Sequence, residues 1–182
     1  MRIIGGKHRS RKLNMVGKPT TRETADMVKE SVFNMLGGTV NGVVLDLFAG
    51  SGAYALEAIS RGASHANCVD SNMDAISTIK KNASLLNETN HLTAILRDYQ
   101  KYLSSLSTDL KFDLIFLDPP YEMNIYQEVM EKLIDHTHDL AHVVCESQKS
   151  IILPEWVGPF QKIKEKTYGI KRISIYEKEA LL

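Results

Sequence analysis

The sequence predicts an α/β fold: a mostly parallel sheet with helices on both faces, a C-terminal antiparallel hairpin and a short basic N-terminal arm. Apolar runs typical of strands alternate with helical patterns between residues 43 and 145, as in a parallel sheet with crossover helices. A glycine-rich turn directly follows the first apolar run. Residues 163–176 alternate in polarity and break at Gly169, which indicates an antiparallel hairpin.

Length and composition indicate one globular domain. The chain has 182 residues, the usual size of a single domain. Hydrophobic residues make up 43% and charged residues 24%, which excludes disorder, collagen and coiled coil as the main structure. No apolar run reaches the ~18 residues of a membrane span, and the N-terminus lacks the apolar segment of a secretory signal. Cys68 and Cys145 fit no zinc or CxxC spacing, so we expect reduced thiols in a cytoplasmic protein.

We expect residues 1–22 to form a basic arm and residues 23–182 a single domain. Gly5-Gly6 is a turn signal, so the arm is either a short hairpin or an extended segment. Apolar side chains recur at helical spacing after Thr24, and this pattern stops at Gly37. The later elements are strand 43–47, helix 53–61, strand 66–70, helix 73–86, strand 92–96, helix 99–106, strand 112–117, helix 125–134, strand 140–145 and the hairpin strands 163–168 and 170–176.

The charge is unevenly distributed, although the net charge is zero. Residues 1–22 contain seven basic residues and no acid, so the rest of the chain carries a net charge of −7. A basic segment can hold phosphates locally with salt-sensitive affinity. The alternative is a solvated terminus whose charge keeps the protein soluble. The candidate nucleic-acid-binding residues are Arg2, Lys7, Arg9, Arg11, Lys12 and Arg22.

The first candidate site is the sequence Asp46-Leu47-Phe48-Ala49-Gly50-Ser51-Gly52, at the end of the first strand. Glycines at this point let the backbone approach a ligand and turn into a helix, whose N-terminus suits an anionic group. A glycine-rich turn alone also fits an ordinary tight turn. A Walker A motif is excluded, because no Gly-Lys-Ser/Thr follows.

Two further acids follow the next two strands. Asp70 lies 18 residues beyond Gly52, where a carboxylate can accept hydrogen bonds from both ribose hydroxyls. The alternative is that Asp70 caps the helix starting near Asn72. Asp98 can accept from an adenine amino group, or it can cap the helix that begins at Tyr99. Together with the glycine turn, these acids favour a nucleoside-bearing cofactor.

The most specific motif is Asp118-Pro119-Pro120-Tyr121, directly after the strand 112–117. The prolines fix the backbone and carry no N–H donor. The Asp118 carboxylate and the Pro119 carbonyl can therefore both accept from one exocyclic amino group, and Tyr121 can stack on a planar base. The alternative is a Pro-Pro turn in which Asp118 is only a cap.

These motifs resemble the class I S-adenosylmethionine-dependent methyltransferase pattern, and the Asp-Pro-Pro-Tyr form resembles enzymes that methylate amino groups of nucleic-acid bases. More narrowly, the chain resembles the bacterial small-subunit 16S rRNA guanine-N(2) methyltransferase family. The resemblance covers nearly the whole chain, and its family-specific part is N-terminal. The segments that carry it are 1–7, 9–13, 28–34, 45–52, 56–63, 168–169 and 173–177.

The resemblance implies a Rossmann-like methyltransferase sheet, S-adenosylmethionine as cofactor, and methylation of a guanine 2-amino group in 16S rRNA, in the small ribosomal subunit or in its precursor. It implies a cytoplasmic monomer without a metal ion or membrane attachment. The implied cofactor-binding residues are Asp46, Phe48, Ala49, Gly50, Ser51, Gly52, Asp70, Ser71, Asp98 and Tyr99. The implied catalytic residues are Asp118, Pro119, Pro120 and Tyr121.

The chain departs from the family pattern at Glu23, Ala25 and Tyr54-Ala55, so we expect an altered entry to the first helix and altered packing behind the methionine moiety. His136, His138 and His142 have the wrong spacing and the wrong neighbouring carboxylates for a metal site, so we expect solvated side chains.

Two other functions remain open. One is a DNA or RNA methyltransferase acting on adenine or cytosine amino groups, and the other is a non-catalytic RNA-binding assembly factor.

Overall fold

The computed structural model describes the chain over residues 1–17 and 22–180, with side chains over 1–17 and 25–180. Within these ranges the N-terminal arm is a looped hairpin. Arg2 and Lys12 form an antiparallel bridge, and the Ser10 N–H donates to the Ile3 carbonyl at 2.8 Å. A short 3₁₀ turn, Gly6–His8, lies inside the loop. Of the two predicted forms of the arm, the structure shows the hairpin.

Helices and strands alternate after the arm, as predicted. The helices are α1 (Arg22–Met35), α2 (Ala53–Ser60), α3 (Met73–Leu85), α4 (Tyr99–Ser104) and α5 (Tyr126–Lys132). The strands are β1 (Val43–Asp46), β2 (His65–Asp70), β3 (Leu92–Leu96), β4 (Phe112–Leu117), β5 (Thr137–Gln148), β6 (Trp156–Val157), β7 (Phe160–Tyr168) and β8 (Lys171–Lys178).

The strands form one eight-stranded sheet in the order β3-β2-β1-β4-β5-β8-β7-β6. Strands β1 to β5 are parallel to their neighbours, and β8, β7 and β6 continue the sheet in antiparallel fashion. The predicted α/β fold is therefore confirmed. The strand order reverses direction at β1 and β4, and in open α/β sheets ligands bind beyond the carboxyl ends of the strands at such a point.

Strand β5 differs from its prediction at both ends. It begins at Thr137 instead of 140 and runs to Gln148 instead of 145. Its pairing with β4 jumps from Phe112↔Thr137 to Leu114↔His142, so several β5 residues bulge outward. Leu140 has a φ of 63° in this bulge and is exposed. Because the bulged residues interrupt the apolar pattern, the sequence did not indicate that the strand begins at Thr137. The two-residue strand β6 was also missed, because it is too short to show a period.

The core consists of two apolar layers, one on each face of the sheet. Val44 and Phe116 point into the layer formed with α1, α2, α3 and the arm. Leu45 and Ile115, the neighbouring residues on the same strands, point into the layer formed with α4 and α5. This alternation leaves the carboxyl ends of β1 and β4 as the place where polar side chains emerge between the layers.

Candidate active site

Two adjoining cavities lie beyond the carboxyl ends of β1, β2, β4 and β5. The larger has a volume of about 480 Å³ and is lined by Asp70, Ser71, Asp98 and Tyr99 together with the Asp-Pro-Pro-Tyr segment. The smaller has a volume of about 160 Å³ and is lined by Asp46, the glycine turn, Tyr54 and Glu146. Three residues line both cavities: Phe48, Asp118 and Lys171. The structure thus brings all the predicted chemical motifs to one edge of the sheet.

The glycine turn is held by the acid at the end of β2. Asp70 accepts a hydrogen bond from the Gly50 N–H at 2.9 Å and another from the Asn72 N–H at 2.8 Å. Gly50 has a φ of 53°, and a Cβ built there would meet no atom of the described residues within 4 Å, so the turn presents bare backbone to the cavity. Asn72, and not Asp70, caps α3 by accepting from the Asp74 N–H. The alternative interpretation of Asp70 as the helix cap is therefore wrong.

Asp98 does act as a helix cap. Its Oδ1 accepts from the N–H groups of Gln100 and Lys101 at the start of α4. The side chain is exposed beside Tyr99, on the wall of the larger cavity. The capping alternative is thus confirmed, and a role toward an adenine ring remains a prediction for this residue.

Asp46 provides a buried carboxyl group with an unused oxygen. The residue is 2% exposed, and its Oδ2 has no hydrogen-bond partner among the described residues. Burial raises the pKa of Asp46 to about 7, a backbone hydrogen bond from Ala55 works in the opposite direction, and the nearby Asp70 raises the pKa further. A buried oxygen without a partner is costly, so this position suits a cationic or hydrogen-bond-donating ligand group.

The Asp-Pro-Pro-Tyr segment lines the larger cavity, and its Asp118 also lines the smaller one. Asp118 is half-buried, Pro119 is buried, and Pro120 and Tyr121 are exposed. The Met123 N–H donates to the Pro120 carbonyl at 2.9 Å, which closes the turn. Burial raises the pKa of Asp118 well above its usual range, and Glu146 and Asp46 raise it further, whereas Lys171 lowers it. The motif is therefore more than a capping turn, since it places a carboxyl group in a cluster of like charges.

Sequence reasoning missed Glu146 and Lys171. Glu146 is 4% exposed at the end of β5 and forms an ion pair with Lys171. The sequence signal for Glu146 was an acid ending the apolar run Val143-Val144-Cys145. Nothing in the sequence placed Lys171 near the site, because its position depends on the antiparallel return of β8.

The departure from the family pattern at Tyr54 also reaches the site. The Tyr54 ring stacks on Phe116 with centroids 4.8 Å apart, and its hydroxyl donates to Glu146 Oε2 at 3.1 Å. Burial raises the pKa of Tyr54 well above its ordinary value, and the nearby Glu146 raises it further. Tyr54 therefore remains a neutral donor that orients the buried Glu146. Ala25 lines the smaller cavity, and the side chain of Glu23 lies outside the described residues.

The arm is fastened to the domain through its backbone. Glu57 of α2 is fully buried and accepts from the N–H groups of Ile4 and Gly5, each at 2.8 Å. Lys29 and Arg61 pair with the same carboxylate at 3.1 and 2.8 Å. The arm is therefore an integral part of the structure, and Met1 reaches the smaller cavity.

The predicted RNA-binding residues differ in how far they are already paired. Lys7 pairs with Glu88 at 2.6 Å, Arg11 donates to the Leu85 carbonyl, and Arg2 lies 3.6 Å from Asp26. Two others, Arg9 and Lys12, are exposed and line an open cleft of about 940 Å³ between the arm and α1. The side chain of Arg22 lies outside the described residues.

The chain matches the family model described as "Conserved hypothetical protein 95" over residues 1–177. It is 32% identical to the ribosomal RNA small subunit methyltransferase D of Haemophilus influenzae, over 97% of this chain and 93% of that protein. The corresponding Escherichia coli protein is also 32% identical, over 99% of this chain and 91% of the relative. This chain belongs to the ribosomal RNA small subunit methyltransferase D family. A Bacillus subtilis relative with a provisional rRNA methyltransferase name is 39% identical over 98% of this chain and 99% of its own length.

Solved structures of this methyltransferase family have the same fold. An Escherichia coli structure superimposes with a TM-score of 0.87 at 30% identity, over 100% of this chain and 99% of the other. A more distant structure, described as a candidate methyltransferase in complex with S-adenosylhomocysteine, has a TM-score of 0.70 at 12% identity and shares the fold, covering 82% of this chain and 49% of the other. The family assignment and the Rossmann-like methyltransferase sheet predicted from the sequence are confirmed.

The described ranges contain neither a metal-binding cluster nor a membrane-spanning helix. No group of three or more His, Cys, Asp or Glu side chains there is arranged to hold a metal ion. His138 instead contacts Asp113 at 2.8 Å, and His142 contacts Glu177 at 3.1 Å. No helix in this part of the chain combines the length and apolar character that crossing a bilayer requires.

Proposed function

We propose that this chain transfers a methyl group from S-adenosylmethionine to the exocyclic 2-amino group of a guanine in 16S rRNA. The observation that carries the proposal is the position of Asp118 on the wall common to both cavities. A base amino group bound there lies beside a second compartment lined by the glycine turn. Membership of a family whose curated members are named small subunit rRNA methyltransferases supports the substrate class.

The residues present fit the cofactor. The unpartnered Oδ2 of Asp46 suits the ammonium of the methionine moiety, and the bare backbone at Gly50 allows close approach. Phe48, Ala49, Ser51 and Gly52 would complete this compartment. Asp70 and Ser71 would hold the ribose, and Asp98 with the Tyr99 N–H would bind the adenine. When bound, S-adenosylmethionine supplies an electrophilic methyl group on a sulfonium.

The protein's own contribution is to orient and activate the amine. The guanine 2-amino lone pair is delocalised into the ring, so the nitrogen is a poor nucleophile. Hydrogen bonds from its two N–H groups to the Asp118 carboxylate and the Pro119 carbonyl favour a pyramidal nitrogen aligned for in-line attack. An amine nitrogen that takes up the methyl group would also have to lose a proton. The raised pKa of Asp118 makes this carboxylate a suitable acceptor for that proton.

The base must leave its stack to reach Asp118. Tyr121 is 39% exposed at the mouth of the larger cavity, where its ring can replace lost stacking worth ~1–3 kcal/mol. The exposed Arg9 and Lys12 would hold rRNA phosphates, which position the RNA without specifying its sequence.

One chain supplies every residue of this site, so we expect a monomer acting in the cytoplasm, where ribosomal subunits assemble.

The proposal is tested by methyl transfer from tritiated S-adenosylmethionine to 16S rRNA, to small ribosomal subunits and to duplex DNA. We expect label in rRNA or subunits, recovered as N2-methylguanine by nucleoside mass spectrometry. Label only in DNA, or only in adenine or cytosine, would contradict the proposed substrate. Binding of subunits without any label would instead identify an assembly factor.

A further inference from the structure

The cluster formed by Asp118, Glu146 and Lys171 contains more polar groups than amine activation requires. Asp118 and the Pro119 carbonyl suffice to orient an amino group, yet Glu146 and Lys171 line the same smaller cavity. Glu146 is 4% exposed and directly follows the buried apolar run Val143-Val144-Cys145 of β5. A buried ion pair adds little to stability, so its place beside the reactive carboxylate calls for a function at the site.

The sheet fixes the relative positions of the pair. Gln148 of β5 lies opposite Lys171 of β8, and Glu146 lies two residues earlier on β5. Diagonal neighbours of this kind share one face of the sheet, which explains the ion pair between Glu146 and Lys171. The Tyr54 hydroxyl holds the second carboxylate oxygen, Oε2. Burial lowers the pKa of Lys171, but Glu146, Asp118 and Tyr121 together outweigh this effect and the net shift is upward, so Lys171 remains a charged donor.

Within the smaller cavity the cluster therefore offers two carboxyl groups as acceptors, Asp118 and Glu146, and one ammonium donor, Lys171. The Watson–Crick edge of guanine presents the complementary set, namely the 2-amino donor, the N1–H donor and the O6 acceptor. Adenine and cytosine each present a ring nitrogen lone pair next to their amino group. That lone pair would face the Glu146 carboxylate without a shared proton, which is repulsive.

We infer that Glu146 and Lys171 are the specificity-determining residues of the acceptor pocket, with Glu146 accepting from guanine N1–H and Lys171 donating to O6. This inference rests on the proposed function and adds the reason why the acceptor is guanine. A flipped base is commonly read by hydrogen bonds to its Watson–Crick edge. Tyr54 acts through Glu146 as a positioning residue, since its hydroxyl fixes the carboxylate on the opposite side.

The test uses 2-aminopurine, which keeps the 2-amino group but has a lone pair at N1 and no O6. The target nucleotide is first mapped in 16S rRNA, and rRNA is then ligated with either guanine or 2-aminopurine at that position. Both RNAs are offered naked and as reconstituted small subunits. We expect the full-length wild-type protein to prefer guanine by at least ~10-fold in kcat/KM.

Two variants separate base reading from a structural role. Glu146→Gln is expected to lower kcat/KM for guanine by ~10- to 100-fold and to leave or raise the value for 2-aminopurine, because its amide N–H can face the N1 lone pair. Lys171→Met is expected to lower the guanine value and spare 2-aminopurine. Glu128→Gln and Lys132→Met, which alter an exposed pair on α5, serve as matched controls. Cofactor affinity and thermal unfolding establish that each variant is folded.

Equal losses on guanine and 2-aminopurine would overturn the inference and assign the pair a structural role. Unchanged activity of both variants on guanine would overturn it as well. If the wild-type protein methylates neither RNA, the proposed function itself fails, which is a different result from a loss confined to the variants.

Discussion

Asp118 is the residue on which methyl transfer depends most directly in the proposed mechanism. Replacing it by Asn keeps the shape of the side chain but turns one acceptor into a donor and removes the negative charge. We expect Asp118→Asn to lower kcat by ~10²–10³-fold and to leave cofactor binding largely intact. Single-turnover transfer to small subunits, together with calorimetric titration of S-adenosylmethionine, measures both quantities. The exposed Asp109→Asn is the control, and an unchanged rate in Asp118→Asn would place the reaction elsewhere.

Asp46 is expected to make the stability of the protein depend on pH. Burial raises its pKa from 3.8 to about 7. Because the folded protein keeps this proton where the unfolded chain has lost it, the free energy of unfolding contributed by Asp46 falls as the pH rises between these values. Asp46→Asn removes that contribution, which is at most ~4 kcal/mol. Urea unfolding of both proteins at several pH values across this window measures the difference, and parallel pH profiles would contradict the assignment.

Loss of the same Asp46 proton lowers the free energy of unfolding but should strengthen the binding of a cationic ligand. An ammonium group prefers the ionised carboxylate, so wild-type affinity for S-adenosylmethionine should rise as the pH passes through about 7. In Asp46→Asn the affinity should be lower and nearly independent of pH over this range. Titration calorimetry compares the two proteins, with Asp109→Asn again as the control. A wild-type profile that is flat would mean that Asp46 does not contact the charged end of the cofactor.

At the scale of secondary-structure elements, the docking of the arm on α2 requires a glycine at position 6, where the arm passes close to the α2 backbone. Gly6 has a φ of 74°, and a Cβ there would lie 1.8 Å from the Ser60 carbonyl oxygen. Gly17 has a nearly equal φ of 69°, but a Cβ there would meet no atom of the described residues within 4 Å. Both Ala variants carry the backbone strain of a positive φ, and only Gly6→Ala adds a steric clash.

We therefore expect Gly6→Ala to release the arm and Gly17→Ala to leave it docked. Hydrogen exchange at the N–H groups of Ile4 and Gly5 reports the docking, because both donate to the buried Glu57. Exchange at these amides should be faster in Gly6→Ala than in Gly17→Ala, because an undocked arm no longer protects them. The amides of the central strands should stay protected in both variants. Equal protection in the two variants would show that the clash is absorbed without undocking.

The accuracy of the sequence predictions differed between local and non-local features. The glycine turn and the Asp118 motif were found because each is a short pattern at the end of an apolar run, and parallel strands bring such ends together. The ion pair of Glu146 with Lys171 was not found, since it needs the register between β5 and β8. The arm was predicted as a basic hairpin or extended segment, but its docking depends on Glu57, whose burial inside a helical pattern gives no local signal.

At the scale of the whole molecule, the chain has no net charge, but its basic and acidic residues are concentrated in different regions. The arm carries the excess of basic residues, and the cavities at the sheet edge are lined by carboxylates. Under the proposed function, this arrangement would attract the phosphate backbone toward the arm and keep phosphates away from the acidic pocket, which a neutral base edge could enter. Association with rRNA should therefore depend on salt mainly through the arm residues that form no ion pair within the described ranges.

Arg9 and Lys12 are the residues expected to dominate that salt dependence, since Lys7 already pairs with Glu88. If each contacts one phosphate, Arg9→Gln with Lys12→Gln should reduce the slope of log affinity against log salt by ~1.4–1.8. Filter binding of 16S rRNA at several salt concentrations measures the slope. The double variant of Lys80 and Lys81 to Gln on α3 removes the same charge from another surface and should change the slope less. If both double variants reduce the slope equally, binding responds to net charge alone, and the arm has no specific place on the RNA.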